Sequence, residues 1–91
     1  MSNFQIEMQN AVLQGRVAKI IYKGEVRIVQ PRAIVIDESG ETFLHCTKLD
    51  GDFRYFTIDK IEDFELSDHD FFEVEQYKNI YWAQVLTAPQ L

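Results

Sequence analysis

Residues Thr42 to Ile61 read TFLHCTKLDGDFRYFTIDKI. Two runs with strand-like composition flank a tight Asp50-Gly51 turn, the arrangement of a β-hairpin. The second run predicts a strand from about Phe53 to Asp59. Side chains alternate along a strand, so Arg54, Phe56, Ile58 and Lys60 would share one face. A cation at each end of an apolar pair marks a strand whose ends reach the surface, as in a small barrel.

The same punctuation extends outward from this block. Gly24 and Gly40 also fall between apolar, β-rich runs, each within a few residues of the next run. Strands are therefore expected at about Arg16–Lys23, Glu25–Asp37 and Glu41–Leu49, with a short fifth one over Ile61–Leu66. Pro31 cannot donate to a ladder, so the long second strand should bend or bulge there. Ahead of them, Phe4, Met8, Ala11 and Val12 fall on one helical stripe. This predicts a helix over residues 2–14, with Ser2 as N-cap, Gln5 three residues later and Gly15 at C′. Beyond the strands, Val74, Tyr77, Tyr81 and Val85 predict a C-terminal helix over residues 72–86, with a final strand as the competing reading. Pro89 stops whichever forms.

Composition sets the limits. Ninety-one residues make one domain with a modest core. An apolar fraction of 46% is too high for a disordered acidic chain. The single cysteine, Cys46, excludes an intrachain disulfide. No apolar run is long enough for a transmembrane helix, and the N-terminus lacks the pattern of a signal peptide, so a cytoplasmic protein is expected. The net charge is −6, unevenly spread. Residues 1–36 hold five basic and two acidic residues, a balance of +3, whereas residues 37–91 hold four basic and thirteen acidic, −9. Seven of those acids lie between Glu62 and Glu75, a stretch expected to be a solvated loop.

Catalytic chemistry is not evident. His45 and Cys46 are neighbours, so in a strand they point to opposite faces and cannot act as base and nucleophile together. Cys46 reads as a core residue. His69 between Asp68 and Asp70 lacks a second ligand motif for a metal. Neither a cofactor nor a metal is expected. Tyr22, Arg32, His45, Arg54, Tyr55 and Lys60 come from several strands. Aromatic rings stack bases and cations track phosphates, so these six are candidate binding residues. Ordinary packing of the two tyrosines and solvation of the cations is the competing account.

Residues 16–66 resemble the WYL domain family. The similarity lies in Ile20-Ile21-Tyr22 for the first strand, Val29-Gln30-Pro31 for the proline step and Gly40 to Leu44 for the signature strand. Arg54-Tyr55-Phe56-Thr57-Ile58-Asp59-Lys60-Ile61 is similar to the last motif. Of the Trp-Tyr-Leu signature only Leu44 is identical, and Lys60 stands where the family has arginine. The resemblance implies a small barrel of SH3-like or Sm-like type behind a short helix; with the elements predicted above, this gives one domain, mainly β, with five barrel strands and flanking helices. It also implies a non-enzymatic, regulatory, ligand-sensing module for single-stranded nucleic acid or a nucleotide-like molecule. Arg54 and Lys60 inherit the binding role best by position, Tyr22 and Arg32 less directly. A protein partner or a second copy of the chain is the alternative, because the acidic stretch adjoins an aromatic tail with Phe71, Phe72, Tyr77, Tyr81 and Trp82.

Overall fold

The computed structural model describes residues 4–89. The helix α1 (Gln5–Gln14) is followed by β1 (Arg16–Tyr22), β2 (Glu25–Ile36), β3 (Thr42–Lys48) and β4 (Phe53–Thr57). A 3-10 turn over Ile58–Lys60 leads to β5 (Ile61–Phe71), and β6 (Gln84–Thr87) is the last element among the described residues. All strand pairs are antiparallel, in the order β4-β3-β2-β1-β5, with β6 added to β2. The expected Ser2 cap lies outside the described residues.

Local chemistry explains the junctions. Lys23 and Gly24 both have positive φ, as a two-residue type I′ hairpin requires. Gly15 has φ 68° and its N–H donates to the Ala11 carbonyl, so it closes the helix in a left-handed conformation. The helix buries Met8, Ala11 and Val12 on the sheet, the stripe its spacing predicts.

The sheet curls without closing. In a flat sheet, β4 and β5 would stand four strand spacings apart, about 19 Å. Thr57 and Ile61 are joined by four virtual bonds, at most about 15 Å. The sheet must therefore curve so that its two edges approach at this end. The Tyr22 ring meets Phe56 edge to face at 5.0 Å, and its hydroxyl accepts the Thr57 N–H at 3.3 Å, tying β1 to β4 across the curl. Inside lie Ile20, Val29, Leu44, Cys46, Phe56 and Phe64.

Three expectations change. The fourth strand stops at Thr57 rather than Asp59, because Ile58–Lys60 must make the tight edge-to-edge connection. Lys60 thus leaves the face shared by Arg54 and Phe56. The fifth strand continues through the acidic stretch to Phe71. Its register slips twice. One slip leaves Glu62 unpaired, so that Ile61 and Phe64 both face the core, and the other loops out residues 67–70 beside Arg16.

The third change is that residues 72–86 are not a helix. Residues 72–83 form an irregular strap, and Gln84–Thr87 is a strand paired with Ile34–Ile36. Tyr81 is 77% exposed, so the spacing of Val74, Tyr77, Tyr81 and Val85 does not define one buried face. Specific anchors replace helical bonds. The Phe72 N–H donates to the Gly15 carbonyl at 2.7 Å, and β6 takes up the free edge of β2.

Candidate ligand-binding cavity

Register brings Gln30, Thr47 and Phe53 into one row on the outer face of the sheet, with His45 and Tyr55 paired in the next. Pro31 pairs with Cys46 and Ala33 with His45, leaving Arg32 as the extra residue of a β-bulge. The bulge expected from Pro31 is therefore present. It places Arg32 beside the Gln30–Thr47 row, as bulges next to sites commonly re-aim a side chain.

The strap lies on this outer face and lines one side of a half-open cavity of about 630 Å³. That volume lies within the range of small-molecule sites, about 300–1,000 Å³. Its walls include Arg32, His45, Phe53, Tyr55, Tyr81 and Trp82. Tyr55 and Tyr81 both stand edge to face with Trp82, with centroids 5.1 and 5.0 Å away. Phe43 packs beneath Trp82 at 5.4 Å.

Arg32 is held by neutral groups. Its Nε donates to Thr47 Oγ1 at 2.7 Å, Nη1 to the Glu73 carbonyl at 3.1 Å and Nη2 to Gln30 Oε1 at 3.0 Å. Its guanidinium carbon lies 4.6 Å from the Phe72 ring centroid. A guanidinium has five N–H donors, so one on each Nη remains without a partner among the described residues. Of the other charged side chains lining the cavity, Lys78 adds a cation and Glu75 an anion. The lining thus carries a net +1 on a chain of net charge −6.

His45 is buried in the wall with its Nδ1 2.7 Å from the Tyr77 hydroxyl. Its Nε2 is buried without a hydrogen-bond partner among the described residues. Burial, reinforced by repulsion from Arg32, lowers its pKa from 6.5 to about 4, so the ring is neutral near pH 7. The hydroxyl of Tyr77 can give or accept the bond to Nδ1, so Nε2 can present either an acceptor or a donor. Burial also raises the Tyr77 pKa, which keeps that hydroxyl protonated.

Of the six sequence-derived candidates, Arg32, His45 and Tyr55 meet at this cavity. Tyr22 packs against Phe56 on the other side of the sheet. Arg54 is exposed at the turn end of β4, bonded to the Phe53 carbonyl, and Lys60 is exposed in the 3-10 turn. Phe53 and the strap residues Tyr77, Lys78, Tyr81 and Trp82 also line it. The aromatic density of the tail was their signal, although it pointed to a protein interface.

Other chemistry is limited by placement. The Cys46 thiol faces the core, and burial pushes its pKa up, out of the nucleophilic range. No group of three metal-ligating side chains converges among the described residues, His69 included. No described helix is long and apolar enough to cross a membrane. Compared with known proteins, the chain matches no family model, no curated protein and no solved structure.

Proposed function

We propose that this chain is a non-enzymatic binding module of WYL type, on a partly open barrel, for a nucleotide-like ligand or single-stranded nucleic acid. The observation that carries the reading is the aromatic cavity with Arg32 in its wall, a cation with no carboxylate partner among the described residues. Aromatic rings stack bases of any sequence, and an arginine with free N–H groups offers charge-assisted bonds to phosphate. The strand order, the helix before β1, Tyr22 closing β1 and the proline step in β2 support the family reading.

Fluorescence anisotropy with labelled nucleotides and short single strands at low salt tests it. Binding that falls with added salt and weakens in Tyr55→Ala is expected. No binding to any of these probes would end the proposal. The second reading is a protein-docking surface, favoured by Ile80 and Tyr81 at the cavity mouth, which are 96% and 77% exposed. Light scattering coupled to gel filtration separates the self-association form of it, because a monomer at all concentrations counts against a second copy covering these residues.

A further inference from the structure

We infer that the cavity takes one mononucleotide at a time, with the phosphate on Arg32 and the base against Tyr55 and Tyr81. This deepens the nucleotide-binding reading and rests on it.

A bound strand needs a groove open at both ends and cations spaced along it. This cavity is lined on one side by the strap, and the strap is tied at both ends. Its first residue bonds to Gly15, and its far end continues into β6 on β2. A continuous strand has only the cavity's open side along which to run. The cations do not form a track either, since Arg54 and Lys60 lie outside the cavity and only Lys78 accompanies Arg32 in the lining.

A single nucleotide meets none of these obstacles. Tyr55 and Tyr81 are 53% and 77% exposed, and each is roughly perpendicular to Trp82. The three rings make a corner in which a flat heterocycle can stack on one ring and meet the edges of the others. Phosphate on the free Nη donors of Arg32 completes the set.

Trp82 is the single tryptophan and stands in the wall, so its fluorescence reports occupancy directly. The probes are AMP, UMP, adenosine, inorganic phosphate and a short oligothymidylate. Saturable quenching by the mononucleotides is expected, with adenosine bound roughly tenfold or more weakly for lack of the charged contact. Arg32→Gln should lower mononucleotide affinity to the adenosine level and leave adenosine unchanged. That second readout shows whether the variant is still folded, and Arg32→Lys should fall between. Arg54→Ala should alter nothing. An oligonucleotide that binds far more tightly than UMP and loses affinity in Arg54→Ala, with UMP silent, overturns this inference while the broader binding reading stands. Silence from every probe removes both.

Discussion

His45 Nδ1 and the Tyr77 hydroxyl lie 2.7 Å apart, joining β3 to the middle of the strap. His45 is buried and Tyr77 half-buried, so the bond is part-buried and water competes for it only in part. Tyr77→Phe keeps the ring and removes only the hydroxyl, leaving both nitrogens of His45 unpaired. A loss of about 1–3 kcal/mol is expected, the cost of stranding a buried polar atom. Urea unfolding gives the number. A stability unchanged from the parent would mean that the strap is not held through His45.

The same histidine sets a pH dependence. Its folded pKa, about 4, lies below its ordinary 6.5. As pH falls below about 6.5, the unfolded chain binds the proton first, so stability is lost from there down to about 4. The slope is at most about 1.4 kcal/mol per pH unit and about half that for a ring water can reach. Asp37 and Asp50 act in a separate window. Their pKa values are lowered, for Asp37 chiefly by the Ser39 hydroxyl and for Asp50 chiefly by the Asp52 N–H. Their contribution is present above the usual carboxylate range and lost only below it. Comparing the urea midpoints of the parent and His45→Gln at pH 7.5 and 5 isolates the histidine: the gap between them should narrow at pH 5. A constant gap would contradict the assignment.

Legibility followed the range of the forces involved. Hairpins at Lys23-Gly24 and Asp50-Gly51 are local events, signalled by glycines that take positive φ without strain, and they were readable together with the helix stripe. The bulge beside Pro31 was readable because proline removes a donor. Its consequence, an Arg32 turned to the row of Gln30 and Thr47, needs the register of β3 and was not. The tail misled because i, i+3, i+7 spacing does not specify a helix when other anchors compete. Trp82 is held by Phe43 and Tyr55, Tyr77 by His45 and Phe72 by Gly15, all far away in sequence. The cavity inherits that blindness, since half its wall is the strap.

Tyr22 separates a structural role from a ligand-binding one. Its ring packs on Phe56 and its hydroxyl accepts the Thr57 N–H where the sheet curls. Tyr22→Phe should cost about 0.5–1.5 kcal/mol, a typical net hydrogen bond, and leave nucleotide affinity as it was. Phe56→Ala, at 3% exposure, should cost about 3–5 kcal/mol. Denaturation and fluorescence titration on the same samples distinguish the roles. A Tyr22→Phe protein of parental stability and reduced affinity would return Tyr22 to the site.

Gly15 joins the helix, the strap and the cavity at one atom. Its φ of 68° alone makes alanine unfavourable by about 1–2 kcal/mol. An added Cβ would also stand 2.6 Å from the Phe72 carbonyl oxygen and 2.6 Å from Val74 Cγ2. The carbonyl belongs to the residue whose N–H bonds back to Gly15, so it cannot retreat without breaking that bond. Gly24 is the matched control, with φ 75° and nothing within 4 Å of an added Cβ. Gly24→Ala should therefore show the backbone cost alone. Gly15→Ala should exceed it by about 1–3 kcal/mol, the range of an overpacked site. Because Phe72 and Val74 line the cavity, it should also raise strap exchange rates in hydrogen–deuterium measurements and weaken nucleotide quenching of Trp82. Equal costs at the two glycines would show that the strap does not pack on the end of α1, and the cavity would lose its support at that side.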